Sequence, residues 1–155
     1  MGNVEEIGPY LEPIRKSVVV RRTPHEAFEI FTARLGTWWP THKFSIHQAD
    51  TVDCAIEPRV GGRIYEVARN GEQGVWGSVL VWEPPARFVM SWHPGREPGT
   101  AQEVEVRFVA VAGGTRVELE HRNWTRLGTA AEETRTSYEG GWAFVFDRCY
   151  VEACA

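Results

Sequence analysis

The chain lacks long apolar runs, basic clusters and paired cysteines, and each absence removes a class of function. Its longest purely apolar runs, such as Trp142 to Phe146, fall far short of the roughly 18–20 residues that a membrane-spanning helix needs. The opening residues Met1-Gly2-Asn3-Val4-Glu5-Glu6 hold neither a basic nor an apolar block, so no secretory signal is expected. Glu6 also stands where a myristoylation motif requires Ser or Thr. No run of Lys or Arg exceeds two residues, as at Arg21-Arg22, and 17 basic against 21 acidic side chains leave a net charge of −4. That balance is the opposite of the footprint needed to neutralise phosphates, which argues against nucleic acid as a partner. Cys54, Cys149 and Cys154 are odd in number and without C-x-x-C spacing, the pattern of reduced thiols in a cytoplasmic chain. His42, His47 and Cys54 match no familiar paired-ligand spacing, so no metal is expected. There is no nucleophile signature, phosphate-cradling glycine loop or paired-carboxylate spacing, and no cofactor is called for.

Aromatic side chains, by contrast, are abundant: seven Trp, seven Phe and four Tyr in 155 residues. A chain of this length buries roughly 70% of the surface of its unfolded form, enough for a core without staples. So many rings point to a large apolar interior that is either filled or lined.

Residues 1–13 read as a loose leader and 14–155 as a single domain. Ile14–Arg22, with Ser17-Val18-Val19-Val20, is β-branched and predicts a first strand. Thr23-Pro24-His25-Glu26 is a capping box with Pro at the first helical position, and Ala27, Phe28 and Phe31 follow at helical spacing. Gly36 is expected to help end that helix. Trp38-Trp39-Pro40 predicts a second short helix or turn, with Trp38 and Trp39 either plugging the core or gating a mouth. A polar loop follows from Thr41 to Asp50. Strands are expected at 55–58, 63–68, 75–83 and 87–93, the last two joined at Pro84-Pro85, which cannot continue a ladder. The inward phase of the first three stays open.

Val104, Val106, Phe108 and Ala110 alternate with charged residues, and Gly113-Gly114 offers a two-residue turn. Placing Ala112 opposite Thr115 predicts the pairs Ala110–Val117, Phe108–Leu119 and Val106–His121 on one face. The other face then pairs Arg107 with Glu120 and Glu105 with Arg122, and these charged residues, with Glu118, are expected in solvent. A long C-terminal helix, capped by Thr129 and Glu132, carries Tyr138, Trp142, Val145 and Cys149 on one stripe. Gly140-Gly141 interrupts it, either for close packing or to leave room above the helix. The expected fold class is α+β: a curved antiparallel sheet of about six to seven strands wrapped around a long C-terminal helix, with two short helices after the first strand.

Four segments, in order, carry a resemblance: Glu57-Pro58-Arg59-Val60-Gly61-Gly62-Arg63; Trp76-Gly77 through Val81-Trp82-Glu83-Pro84-Pro85 to Trp92; His121-Arg122-Asn123-Trp124; and Tyr138-Glu139-Gly140-Gly141-Trp142. They resemble the START-like (SRPBCC) superfamily, in particular its bacterial branch similar to the C-terminal domain of the activator of the heat-shock protein 90 ATPase. The resemblance runs from about Ile14 to Ala153. It implies a helix-grip fold whose cavity between sheet and helix holds a hydrophobic small molecule; relatives include lipid carriers, polyketide cyclases and aromatases. Homodimerisation is in keeping with this kind of domain.

The expected function is therefore binding of an apolar or aromatic small molecule. The alternatives are a cofactor-independent cyclase or aromatase, in which His121 with Tyr138 or Glu57 would move protons, and a chaperone-interacting domain. His121 closes an apolar face and could serve as acid, base or structural anchor. Glu57, beside Pro58, could be a turn carboxylate or a cavity acid. Ring-bearing candidates for the cavity wall are Trp39, Tyr65, Trp76, Trp92, Phe108, His121, Tyr138 and Trp142. Arg63, Val106, Val145 and Cys149, with Cys149 as a small hydrophobe rather than a nucleophile, complete the expected lining.

Overall fold

The computed structural model describes residues 10–155, so the first nine residues of the expected leader lie outside the described residues. Seven strands form one curved antiparallel sheet in the order β1-β7-β6-β5-β4-β3-β2. They are β1 (Ile14–Val20), β2 (Thr51–Ile56), β3 (Arg63–Ala68), β4 (Gln73–Glu83), β5 (Arg87–Trp92), β6 (Gln102–Val111) and β7 (Gly114–Arg122). Only β1 breaks the meander, crossing the sheet to pair with β7, and its return to β2 carries two short helices, α1 (Pro24–Phe31) and α2 (Leu35–Trp38). The helix α3 (Ala131–Phe144) is continued by a π-helical stretch, Val145–Tyr150, and a last turn, Val151–Ala153. Its buried residues join those of the sheet in one core, the helix-grip arrangement.

Local chemistry explains α1. The Thr23 hydroxyl accepts from the Glu26 N–H at 3.1 Å while the Glu26 carboxylate accepts from the Thr23 N–H at 3.0 Å, satisfying two amides that a helix start leaves free. The face so launched buries Ala27, Phe28, Ile30 and Phe31. Gly36 does not end this helix. It lies in α2, where an added Cβ would sit 2.2 Å from the Asp53 carboxylate and 2.9 Å from the Cys54 carbonyl, so its missing side chain lets α2 approach β2.

Several expectations need correction. The strand expected at 55–58 spans Thr51–Ile56, because Glu57 leaves the ladder to accept the Arg63 N–H. The β6–β7 register is two residues tighter than expected: Val111 faces Gly114, giving Ala110–Thr115, Phe108–Val117, Val106–Leu119 and Val104–His121. Gly113, at φ +81°, turns the chain together with Ala112, while Gly114 belongs to the ladder, where a Cβ would lie 2.0 Å from the Val20 carbonyl of the returning β1. A shift of two preserves which face each side chain occupies, so His121 still points inward.

On the outer face the shift sets Glu105 opposite Glu120. Arg122 reaches both, at 2.6 and 3.0 Å, and Arg87 and Arg107 close on Glu105 at 3.0 and 2.7 Å. Glu105 is therefore buried beneath arginines, not solvated. Finally, Thr129 caps nothing. Gly128 kinks the chain at φ 60°, ψ −130°, leaving Thr129 inside a 3-10 segment, and α3 starts at Ala131 without a side-chain cap.

Candidate ligand-binding cleft

Between α3, the loop after α2 and the turn after β5 lies an open cleft of about 400 Å³. Its floor is indole. Trp39 lies 5.9 Å, centroid to centroid, from both Trp92 and Trp142, and Trp92 lies 5.8 Å from Trp142. One wall is a face of α3 at helical spacing, Thr134, Tyr138, Gly141, Trp142 and Val145, and the opposite wall brings Phe44, Ser45 and Ile46.

Every indole of this floor has its N–H bonded within the protein. Trp39 Nε1 donates to the Phe44 carbonyl at 2.8 Å, fixing the wall loop to the floor. Trp92 Nε1 donates to the Tyr138 hydroxyl at 3.0 Å. Trp142 Nε1 donates to His121 Nδ1 at 3.0 Å. An indole N–H can only donate, so His121 Nδ1 is the acceptor and the proton sits on Nε2, which donates to Gln102 Oε1 at 3.1 Å. Gln102 is itself oriented by donating to the Thr100 carbonyl at 2.7 Å. His121 is fully buried with both ring nitrogens engaged, and burial pushes its pKa down to about 3. It is a neutral anchor for Trp142, not an acid or base within reach of the cleft.

A second anchor escaped the sequence reading. β3 alternates with Ile64, Glu66 and Ala68 inward, which places an ionised carboxylate in the core. Glu66 accepts from the Ile46 N–H at 2.6 Å, the His47 N–H at 2.8 Å, His47 Nδ1 at 2.7 Å, the Thr51 hydroxyl at 3.0 Å and Trp76 Nε1 at 2.5 Å. Burial opposes its charge, but these donors outweigh it and hold the carboxyl below its ordinary pKa, while the bond to Glu66 raises that of His47. Glu66 thus clamps the loop that forms one cleft wall. The available signal was the phase of β3: an acid on the inward side of a strand beside Trp76 is costly unless donors surround it.

The expected lining separates accordingly. Trp39, Trp92, Tyr138, Trp142 and Val145 meet in the cleft. Trp76 lies beneath, fully buried and 5.1 Å from Trp39. Val106 and Phe108 face inward but belong to the packed core under α1. Arg63 and Tyr65 lie on the other face of β3, the guanidinium 4.5 Å over the phenol ring and bonded to Glu57 at 3.2 Å. Glu57 is the turn carboxylate, held below its ordinary pKa by the Arg63 amide and side chain. Cys149 lies in a different groove beside Arg34 and Trp38, because the π-helical stretch lengthens the turn and presents Phe146 and Tyr150 inward instead. Trp38 is a plug, packed on Phe31 and Tyr150.

The glycine pair also divides. A Cβ on Gly141 would meet the Phe44 ring at 3.4 Å, so its absence sets the width of the cleft, whereas a Cβ on Gly140 would meet nothing within 4 Å.

A helix-grip sheet holding an aromatic cleft against its C-terminal helix defines the class. The chain belongs to the family described as Activator of Hsp90 ATPase homolog 1-like protein, whose model matches residues 21–149. Among solved structures it is similar to an anthrahydroquino-gamma-pyrone synthase, Txn09, at 36% identity over 93% of this chain and 97% of that one, TM-score 0.65. It is also similar in fold to the self-sacrificing resistance protein CalC from Micromonospora echinospora, at 24% identity over 93% and 94% of the two chains, TM-score 0.62. An AHSA1-like protein from Aeromonas hydrophila shares the fold at 20% identity over 91% and 92%, TM-score 0.63. No curated protein matches. No helix among the described residues is long and apolar enough to cross a membrane.

Proposed function

We propose that this protein binds an aromatic small molecule in the cleft, stacked on the floor of Trp39, Trp92 and Trp142. The observation that carries this reading is an open cleft of about 400 Å³ over three nearly buried indoles, each of which spends its N–H on a protein partner. Apolar faces with their polar handles already satisfied favour a flat ring system over water. The volume and lining of the open cleft suit a small molecule.

A second reading, a cofactor-independent enzyme of the cyclase or aromatase type, draws support from the 36% identity to a synthase. Fold kinship alone does not carry an activity, and this chain is also similar in fold to a resistance protein. Of the partners expected for His121, Glu57 lies in the turn before β3, while Tyr138 lies beside the histidine with ring centroids 4.7 Å apart; His121 itself is fully buried, with both ring nitrogens bonded within the protein. The binding reading therefore comes first.

The test is titration of indole fluorescence with a panel of fused-ring aromatics on the native chain and on Gly141→Leu. The native chain should show saturable quenching at one ligand per chain. Leucine at 141 fills the cleft beside Phe44 while favouring the helix, so affinity should fall at least ~10-fold, about 1.4 kcal/mol, without loss of stability. Quenching that survives Gly141→Leu would place the ligand elsewhere and reject the cleft.

A further inference from the structure

The charges around the cleft are one-sided. Although the chain is acidic overall, the residues lining the cleft include two cations, Lys43 and Arg96, and no carboxylate. Arg96 Nη2 donates to the Thr134 hydroxyl at 3.3 Å, its one side-chain hydrogen bond among the described residues. The Lys43 ammonium lies 5.8 and 5.7 Å from the Phe44 and Phe144 ring centroids. Neither forms an ion pair with a described residue. A third donor lines the same cleft. Tyr138 accepts from Trp92 through its oxygen, and its own proton goes to no acceptor among the described residues. Burial raises its pKa, so the phenol keeps that proton.

The geometry places two of these donors together. Thr134, which holds Arg96, and Tyr138 are four residues apart on one face of α3, about 6 Å along the axis. A guanidinium and a free phenolic O–H within one helical turn, beside an indole floor and in a lining without a carboxylate, form a recognition element for an electron-rich edge. On the reading that the cleft is the binding site, we propose that it selects aromatic anions: ring systems carrying a phenolate, enolate or carboxylate at one edge, with that edge held by Arg96 and Tyr138 and the ring on Trp92 and Trp142. Lys43, against the opposite wall, adds long-range attraction.

The probes are 1-anilinonaphthalene-8-sulfonate and N-phenyl-1-naphthylamine, which share one aromatic framework and differ by the anionic group. Each is titrated into the native chain, Arg96→Gln, Tyr138→Phe and, as a control away from the cleft, Arg126→Gln, with far-UV circular dichroism to confirm folding. Arg96→Gln should weaken the sulfonate ~5-fold or more while leaving the neutral amine within ~2-fold, the size expected for one charge-assisted hydrogen bond at a partly exposed site. Tyr138→Phe should act in the same sense, the Arg126 control should change neither, and the Arg96 effect should shrink as salt is raised. A sulfonate-to-amine affinity ratio unchanged by Arg96→Gln and Tyr138→Phe would overturn the anion selectivity while leaving the cleft as the site. Failure of both probes to bind the native chain would overturn the cleft reading and the selectivity with it.

Discussion

The interior divides into two aromatic regions built on different rules. Under α1, the rings of Phe28, Phe31, Phe88 and Phe108 pack edge to face or stacked at 5.1–6.4 Å, joined by Phe146 and Tyr150, and nothing is left open. Under the middle of α3 the rings are tryptophans and a tyrosine, and the space above them is a cleft. Hydrocarbon rings have no reason to stop short of close packing, so a region of Phe fills itself. Indoles carry a polar handle, and here each handle is fixed by a partner, Phe44, Tyr138, His121 or Glu66, so these rings are positioned by a directed bond as well as by packing on one another at 5.1–5.9 Å. A cleft persists where polar anchoring is added to mutual packing and holds the lining in place.

The comparison breaks most sharply at Phe31. It is fully buried and touches Trp38, Phe88 and Tyr150 at 5.0–5.5 Å, so Phe31→Ala should cost about 3–5 kcal/mol in urea unfolding. The folded fraction should still bind the aromatic panel with native affinity, because the floor is anchored independently. A loss of affinity in proportion to the loss of stability would show that the two regions of the core are mechanically coupled.

The closed region was the more legible of the two in the sequence. A capping box, apolar residues at helical spacing and strands with strict alternation are local signals, and they place Phe28, Phe31 and Phe108 inward without knowledge of the tertiary structure. The cleft depends on partners distant in the chain. That Tyr138, Trp142 and Val145 share a face follows from helical spacing, but the inward turn of Glu66 and the outward turn of Arg63 and Tyr65 depend on the phase of β3, where the ladder is shifted by a bulge between Ile64 and Tyr65. The π-helical stretch, which removes Cys149 from the inner stripe, has no signature in residue type. The hairpin register failed for a similar reason: Gly114 is needed by β1, almost a hundred residues earlier, and not by the turn it adjoins.

Protonation sharpens the contrast, since His121, Glu66 and His47 all hold parts of the cleft. His121 has a folded pKa near 3, below its ordinary 6.5. As pH falls below about 6.5 the unfolded chain takes up a proton that the native state refuses, so stability should drop by up to about 1.4 kcal/mol per pH unit toward pH 3. Glu66, held below its ordinary 4.5, contributes stability above that value and loses it as pH falls through its depressed folded pKa. His47, raised by Glu66, acts in the opposite sense: its contribution is present below 6.5 and is lost as pH rises through its raised value. Urea midpoints between pH 4 and 8 should show the acid slope in the native chain and a flatter one in His121→Asn, with amide exchange near Trp142 accelerating before exchange in α1. An unchanged slope in the variant would assign the acid response to other groups.

The smallest effect lies in the glycine pair of α3. Both residues cost a helix about 0.8–1 kcal/mol relative to alanine, yet only Gly141 has a neighbour that uses the missing side chain. Gly140 is exposed, its φ lies outside the left-handed region, and a methyl group there would touch nothing. Gly140→Ala should therefore raise stability by about 0.5–1 kcal/mol, seen as a rise of roughly 2–4 °C in Tm, and leave binding of the aromatic panel unchanged. A stabilised variant that binds less well would mean that the cleft opens by bending α3 at this point, making Gly140 part of the site through motion instead of contact. Unchanged binding would confine the requirement to Gly141, where the width of the cleft is set against Phe44.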